Sequence, residues 1–503
     1  MSEASTPAGA SAIGRRVARG VMWTTAGTVT SNAVKVAAMA VLGRLLAPED
    51  FGVVAAAMTM LLFVNTVRDL GLGTALVQHR EPTPAHIETA FTVSVVLAVI
   101  LGVGLYLGAP AGAAAFRKPE IEPILEALAV MVFLRSLGSV GSQLMRRDMN
   151  FRAAAAIDVA SYLAGVAVTI TLAALGNGPW ALVWGYLVES IAGTALTLWY
   201  YPPPRRLRID GPALRDLLRF GAGQTVSAIA NVIATQGDYV VVGRQLGSGP
   251  LGFYTRAYEL VRFPATTFTN LAGSVLFSGM SRLQDDREAL ATAFRRTMFA
   301  VAIVLLPASV VLIVLAREIL LLLIGPQWVG AVLPFQIMTC SMLARTNYKV
   351  GALVARANGD TYGVATTQVF YAVAIVGGAL VSSRWGISGV ATTTTVAVIA
   401  LSIYLTVLGM RHTGMTARTI AACHLPAVGI AAVLAVVVGA TAWATRALHA
   451  PGPVVLAAGL AFGGAAYLAL AAHGVRSGNP DWQWAWDVAR AAGRKLRRGG
   501  SRR

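Results

Sequence analysis

The chain is 503 residues long, and 56% of its residues are hydrophobic while only 13% are charged. A soluble chain typically carries about 25% charged residues, so this composition argues against a water-covered surface and for a surface covered by lipid. The net charge is +18, but the 41 Lys and Arg residues lie between apolar segments and form no single basic patch, so no nucleic-acid partner is expected.

Apolar segments of about 20 residues, the length of a membrane-spanning helix, recur along the whole chain. They predict an all-α membrane protein with about 14 transmembrane helices. The predicted spans are 21–45, 51–67, 87–109, 121–143, 154–175, 180–200, 220–242, 262–280, 297–316, 330–352, 363–382, 387–409, 420–444 and 452–472. Most Lys and Arg residues fall on the side of the N-terminus, which places both termini in the cytoplasm.

An internal repeat divides the predicted helices into two halves. The stretches 43–52, GRLLAPEDFG, and 243–252, GRQLGSGPLG, share Gly, Arg, Leu and Gly in register, and each ends the first helix of its half. This predicts two pseudo-symmetric six-helix lobes related by an axis along the membrane normal. The predicted domains are a cytoplasmic segment 1–19, a lobe 20–200, a cytoplasmic linker 201–219, a lobe 220–409, two additional helices 420–472 and a basic cytoplasmic tail 473–503.

The two additional helices and the tail carry small and aromatic residues in recognisable patterns. Gly459 and Gly463 have the small-xxx-small spacing that lets membrane helices pack closely. Trp482, Trp484 and Trp486 suit an aromatic belt at the membrane interface, and a disordered basic tail is the competing interpretation.

Sequence signatures of an enzyme are missing from the chain. It contains no Walker A loop, no HExxH, no GxSxG and no Cys/His cluster with metal-ligand spacing. Gly71-Leu72-Gly73 lacks the third glycine of a dinucleotide fingerprint, and no loop is long enough to hold a glycosyltransferase or polymerase site. We therefore expect a protein that is not an enzyme, with no catalytic residue, no metal site and no cofactor.

Ionisable and polar residues inside the apolar spans are the candidates for a substrate-binding cavity. Each charge costs roughly 2.5–3.5 kcal/mol to insert, so it is expected to face a cavity or a partner. The cavity candidates are Lys35, Arg44, Arg68, Asp69, Asn231, Asp238, Arg262, Arg345 and Lys349. The competing interpretations are a helix-end ion pair in span two, hydrogen bonding between helices in span seven, and snorkelling to the interface for the isolated cations.

Arg135 lies inside the fourth span and is expected to pair structurally with a carboxylate such as Asp158 of the fifth. The recurring theme is cations in apolar helices, which complement the phosphates of an anionic substrate. Coupling to protons or sodium would require a titratable carboxylate, for which Asp69 and Asp238 are the candidates.

The stretches 20–52 and 69–78 closely resemble the bacterial polysaccharide biosynthesis exporters, the O-antigen and colanic-acid type lipid-linked oligosaccharide flippases. Their superfamily includes the multidrug-and-toxin exporters (MATE) and the lipid II flippase. The resemblance implies a MATE-like fold in the bacterial inner membrane, with a central cavity that opens alternately to each side. It further implies an undecaprenyl-pyrophosphate-linked oligosaccharide as cargo, and a groove for the lipid tail formed by the two additional helices.

Together, the residues and the resemblance predict a flippase for lipid-linked oligosaccharides in lipopolysaccharide or exopolysaccharide biosynthesis. Its expected partners are the lipid-linked oligosaccharide, membrane lipids, a coupling ion and the polysaccharide polymerase machinery. The alternative is an ion-coupled antiporter of drugs or small molecules on the same fold. A cationic cavity favours phosphate cargo, whereas a cavity dominated by carboxylates favours organic cations.

Overall fold

The computed structural model describes residues 34–69, 71–79, 81–204, 206–280, 286–487 and 490, which fold into helices with no β-strand among them. The helices are α1 (34–45), α2 (Pro48–Asp69), α3 (Leu72–Gln78), α4 (Pro84–Leu107), α5 (Ala109–Phe116), α6 (Ile121–Arg147), α7 (Phe151–Ala174), α8 (Pro179–Tyr200), α9 (Gly211–Leu246), α10 (Ser248–Met280), α11 (Arg287–Val314), α12 (Ala316–Ile324), α13 (Val332–Thr339), α14 (Met342–Ala357), α15 (Thr361–Ser382), α16 (Gly386–Thr413), α17 (Ala417–Ala447), α18 (Gly452–Arg476) and α19 (480–487). Turns of 3₁₀ helix cover Pro326–Ala331 and Ser383–Trp385.

The predicted all-α membrane class is confirmed. In the described part of the chain, nine helical runs are long and apolar enough to cross a membrane, and one of them, Gly363–Thr413, joins α15 to α16. The segment Pro326–Thr339 and α14 make a tenth run when they are joined across a bend of 41°. Residues 21–33 of the first predicted span lie outside the described residues, and the number fourteen stays a prediction.

The described residues form two compact units. Unit 1 comprises Met1–Thr255, Leu323–Gln327 and Gln368–Val390, and unit 2 comprises Arg256–Leu322, Trp328–Thr367 and Ala391–Arg503. Unit 1 therefore includes α9, the first helix of the second half. The predicted lobes and linker are defined by the repeat rather than by these units, and they stay predictions.

Three short helices were not predicted from the sequence. The helices α3, α5 and α12 contain 7, 8 and 9 residues, too few to span a bilayer. Two of them occupy matching places in the repeat, because α5 follows the third long helix of the first half and α12 follows the third long helix of the second. The repeat thus extends to helices that carry no shared sequence motif.

The two repeat motifs meet in unit 1, at the starts of α2 and α10. A methyl group added at Gly52 would lie 1.7 Å from the carbonyl oxygen of Ser248, and one added at Gly252 would lie 1.8 Å from that of Pro48. The contact is reciprocal, as expected for two related halves that cross. Only glycine leaves room for backbone to touch backbone here.

The first helix of each half also packs against a short helix of the other half. The Cα of Gly43 faces Ile324 at the end of α12, and a methyl group added there would lie 2.7 Å from the Ile324 side chain. Gly243 faces Phe116 at the end of α5 with the same separation of 2.7 Å. Arg244 adds a hydrogen bond of 2.6 Å from its Nη1 to a backbone carbonyl of α5.

An ion pair and a hydrogen bond of Glu49 also stabilise the contact between the two motifs. The Glu49 carboxylate accepts hydrogen bonds from the Lys118 Nζ at 2.7 Å and from the Ser248 Oγ at 2.9 Å. The hydrogen bond to Glu49 raises the pKa of Lys118, which lies in the turn between α5 and α6. Glu49 of the first motif therefore contacts Ser248 of the second motif directly.

In unit 2, the glycines of the two additional helices make the close contacts that their spacing predicts. A methyl group added at Gly463 would lie 2.7 Å from Val438 of α17, and one added at Gly459 would lie 2.9 Å from Leu315. The two glycines thus let α18 approach two different elements.

The predicted interfacial belt at Trp482 is wrong. Trp482 is only 8% exposed and packs edge-on against Phe299 of α11, with the ring centroids 5.5 Å apart. Its neighbour Asp481 forms an ion pair with Arg295, also on α11. Since Phe299 offers an apolar partner and Arg295 a charged one, α19 packs against α11 instead.

We expect Gly52→Ala and Gly252→Ala each to destabilise the protein by roughly 1–3 kcal/mol or more, because the added methyl group has to push two backbones apart. Gly249→Ala is the matched control, since its methyl group would meet no atom within 4 Å. The measurement is the thermal unfolding midpoint of the purified protein. Equal midpoints for all three variants would show that the crossing is looser than described.

Candidate functional site

Charged side chains of unit 1 form an electrostatic network that begins at Lys35 of α1. The Lys35 ammonium lies 5.5 Å from the ring centroid of Tyr162. It also acts on two carboxylates, Asp158 of α7 and Glu189 of α8. Lys35 is exposed, and the aromatic face and the opposite charges near it lower the cost of placing a cation in an apolar helix.

Arg135 of α6 extends this network. The charge that acts on it most strongly is that of Glu189, and Arg68 and, more weakly, Asp69 also act on it. Its Nε donates a hydrogen bond of 3.2 Å to the Oγ of Ser190, next to Glu189. The expected partner Asp158 is therefore wrong, because α8 rather than α7 presents the carboxylate to Arg135.

Sequence reasoning missed Glu189, although the signal was present. It is a lone carboxylate in the apolar run of α8, the same kind of feature that identified the other candidates.

Arg68 and Asp69, at the end of α2, form the expected helix-end ion pair. The Arg68 Nη2 lies 2.6 Å from the Asp69 Oδ1, and the Arg68 Nη1 donates to the carbonyl of Val132 at 3.1 Å. The side chain of Arg68 is 7% exposed and that of Asp69 is 62% exposed. The pair thus joins a cation fixed against α6 to a carboxylate that remains accessible.

Asp238 of α9 is a buried carboxylate with both oxygens engaged. It is 2% exposed, and it accepts a hydrogen bond of 2.7 Å from the Tyr254 hydroxyl of α10 and one of 3.0 Å from the backbone N–H of Tyr239. Asn231, two turns earlier, is exposed. Of the two cavity candidates on this helix, Asp238 is therefore buried and Asn231 is exposed.

Arg44 is exposed near the end of α1. In the alignment of the two repeat motifs it corresponds to Arg244. Since Arg244 bonds to the backbone of α5, the repeat position carries a packing contact in at least one of its two copies.

In unit 2, Arg345 occupies the first turn of α14, directly after the bend between α13 and α14. Its guanidinium lies 4.6 Å from the ring centroid of Tyr258 of α10 and donates to the hydroxyl of that tyrosine at 3.0 Å. Its Nε donates to the Oγ of Ser341 at 3.0 Å. These contacts hold a buried cation at a discontinuity in a membrane-length helix.

Two further cations share the surroundings of Arg345. Lys349 follows one turn later on α14, and the charges that act on it are those of Arg262 and Arg345, both cations. Arg262 is exposed on α10, which continues through Pro264 to Met280. Arg262, Arg345 and Lys349 therefore form a cationic group in which the two arginines repel the lysine.

The structure thus brings six of the nine predicted candidates together in two groups. Lys35, Arg68 and Asp69 belong to a network of unit 1 in which cations and carboxylates alternate. Arg262, Arg345 and Lys349 belong to the cationic group of unit 2.

Solved structures with a similar fold include membrane transporters. The inward closed conformation of the lipid II flippase MurJ matches with a TM-score of 0.74 and 14% identity, over 91% of this chain and 99% of that one. An inward-facing multidrug resistance MATE transporter matches with a TM-score of 0.62 and 17% identity, over 76% and 94%. At these identities the likeness shows the fold, and it confirms the predicted MATE-like architecture.

Sequence relatives point to polysaccharide biosynthesis. The lipopolysaccharide biosynthesis protein WzxC of Escherichia coli K12 is 25% identical over 369 residues, which cover 71% of this chain and 74% of the relative. The succinoglycan biosynthesis transport protein ExoT of Rhizobium meliloti 1021 is 30% identical over 322 residues, covering 63% and 64%. Residues 41–333, more than half of the chain, match the family described as polysaccharide biosynthesis protein. The chain therefore belongs to the polysaccharide biosynthesis protein family.

Proposed function

We propose that this protein flips an undecaprenyl-pyrophosphate-linked oligosaccharide across the bacterial inner membrane for surface polysaccharide export. The observation that carries the proposal is the cationic group of unit 2, in which Arg262 and Arg345 are the charges that act on Lys349. The names of WzxC and ExoT, which refer to lipopolysaccharide and to succinoglycan transport, support a polysaccharide pathway.

Binding of a pyrophosphate would offset the free-energy cost of the cationic group of unit 2. Cations placed together in apolar helices cost free energy through lost hydration and through mutual repulsion. A bound anion removes both costs, and the guanidinium of arginine matches phosphate oxygens geometrically. The isoprenoid chain needs no polar site, because it stays in the lipid.

The network of charged residues in unit 1 suits the glycan part of the cargo rather than its pyrophosphate. Its carboxylates Asp69, Asp158 and Glu189 each interact with a cation, so the network has little net charge to offer an ion. Paired charges and hydroxyls are good partners for the hydroxyl groups of a glycan. An antiporter of organic cations would instead need carboxylates without such compensation.

The bend between α13 and α14 supports an alternating-access mechanism. Transporters commonly bind substrates and ions where a membrane helix is discontinuous, and Arg345 occupies such a place. For ion coupling, Asp69 is the better of the two predicted carboxylates. It is largely exposed, whereas both oxygens of Asp238 accept hydrogen bonds from the protein.

The proposal retains fourteen spans, both termini in the cytoplasm and delivery of the flipped cargo to the polysaccharide polymerase machinery. A deletion strain tests it directly. We expect loss of the surface polysaccharide and accumulation of lipid-linked intermediates on the cytoplasmic leaflet. The wild-type gene should restore the polysaccharide and clear the intermediates. Normal polysaccharide together with raised sensitivity to cationic drugs would reject the flippase and favour the antiporter.

We expect Arg345→Met to lower flipping of the lipid-linked oligosaccharide about tenfold or more, since a hydrogen bond to a charged group contributes about 1.5–3 kcal/mol. Arg345→Lys keeps the charge but loses the planar guanidinium, so an intermediate loss is expected. Arg411→Met, an exposed cation in the last turn of α16, is the matched control. The measurement is polymer yield in the complemented deletion strain at equal protein level. Equal yields for Arg345→Met and Arg411→Met would contradict the assignment.

We expect Lys35→Gln to abolish complementation and Lys35→Arg to retain it, because the proposed contact with the cargo requires a cation at this position. The double variant Lys35→Gln, Glu189→Gln separates two roles. If Lys35 only balances Glu189, the second substitution restores polymer yield. If Lys35 contacts the cargo, as proposed, the yield stays low, so recovery in the double variant would refute a binding role.

A further inference from the structure

Two histidines and an aspartate from different elements of unit 1 meet at one place. His79 caps the C-terminus of α3, His86 lies in the first turn of α4, and Asp216 lies in the second turn of α9. One ligand atom of each lies within 4.8 Å of the others, and the His86 Nε2 lies 3.9 Å from the Asp216 Oδ2. The histidine ring centroids are 4.5 Å apart.

The ring nitrogens at this place have unsatisfied bonding capacity. Among the described residues, the His79 Nδ1 and the His86 Nε2 are buried from solvent and have no hydrogen-bond partner. A buried polar atom without a partner costs free energy, so two in one cluster require an explanation. Coordination of a shared ion would satisfy both nitrogens at once.

Neighbouring groups hold both histidines in place. The Arg147 Nη1 donates a hydrogen bond of 2.6 Å to the carbonyl of His79, which fixes the end of α3 against α6. The His86 Nδ1 lies 2.8 Å from the Thr83 Oγ1 and 3.3 Å from the Thr83 backbone N–H. The backbone N–H donates to Nδ1 in one tautomer of His86, whereas in the other tautomer Nδ1–H donates to the Thr83 Oγ1. Only the second tautomer leaves Nε2 able to bind a metal, so a bound ion would select the hydrogen bond to the hydroxyl.

The start of α9 is held beside α4 in the same way. The side chain of Asp210 caps α9 by accepting a hydrogen bond from the backbone N–H of Ala213. The backbone N–H of Asp210 donates a hydrogen bond of 2.9 Å to the Thr89 Oγ1 of α4. The side chain of Asp216 is 61% exposed. Because it is exposed, this side chain can move closer to the two histidines. Tetrahedral zinc ligands lie about 3.3 Å apart for bonds of about 2.0 Å, so only a small movement is needed.

We propose that His79, His86 and Asp216 form a binding site for a divalent transition metal ion of the Zn²⁺ class. Two imidazoles and one carboxylate suit zinc, whereas Mg²⁺ and Ca²⁺ prefer ligand sets made of oxygen alone. Three protein ligands leave one position for water, which is typical of sites that are not closed structural ones. The ion cross-links the end of α3, the start of α4 and the start of α9.

The proposed ion has a mechanical consequence for the chain. Both stretches that supply ligands lie on the predicted cytoplasmic side, so the site takes its ion from the cytoplasm. The helix α9 begins at Gly211, within the predicted linker 201–219, and a metal bound at Asp216 fixes its first turns to α4. The site is independent of the transported cargo and does not rest on the proposed flippase function.

The test uses the full-length protein in detergent, without a polyhistidine tag and with Cys340→Ser and Cys423→Ser to remove thiol ligands. The probe is Co²⁺, whose visible absorption reports its ligands, with Zn²⁺ as the competitor. We expect one Co²⁺ per chain, displaced by Zn²⁺. Because loss of a supporting group already lowers metal affinity about tenfold, His86→Gln and Asp216→Asn are each expected to lower it at least that much.

His86→Gln keeps the fold intact, since glutamine at this position also completes a capping box with Thr83. His473→Gln, an exposed histidine of α18, is the matched control and retains the parent affinity. Zn²⁺ should also raise the unfolding temperature of the parent and of His473→Gln but not of His86→Gln, because the ion binds the folded state. Absence of Co²⁺ binding by the parent, or equal affinities in His86→Gln and His473→Gln, would overturn the proposal.

Discussion

Backbone contact between the two repeat motifs is the constraint on which the arrangement of unit 1 depends. Helices in lipid gain no hydrophobic free energy from associating, so small residues that permit close packing decide where they meet. Gly52 and Gly252 each touch a carbonyl of the opposite motif, and this fixes α2 against the start of α10. Once these helices are fixed, Tyr254 reaches Asp238 and Glu49 reaches Ser248. The polar contacts of this region therefore follow from the glycines.

The second constraint is electrostatic, and the two units meet it differently. In unit 1, Lys35 and Arg135 both act on Glu189, so each charge is offset by a neighbour. In unit 2, Lys349 interacts with further cations, and the guanidinium of Arg345 lies over the ring of Tyr258. Repulsion of that kind is costly in an apolar helix unless a ligand relieves it. This contrast supports an anionic cargo more strongly than the overall positive charge of the chain does.

The sequence predicted well those features that depend on local pattern. Apolar runs of membrane length located the long helices, and the Gly-Arg motif identified the repeat. Helices as short as α3 and α5 have no detectable period, so they were missed. Pairings between distant helices were also missed, because spacing along the chain does not tell which helix faces Arg135. The same limit hid the cluster of His79, His86 and Asp216, whose aspartate comes from the second half.

In the proposed mechanism, binding and conformational change share residues at the bend between α13 and α14. Tyr258 of α10 contacts Arg345 of α14 both through its ring and through its hydroxyl, so the cation joins the two helices. A ligand shifts a conformational equilibrium only through different affinities for its states. An anion that draws the guanidinium away from Tyr258 would weaken the link between α10 and α14, whereas release of the anion would restore it. Placing the cation between two helices thus gives the cargo a physical means of favouring one state of the transporter over the other.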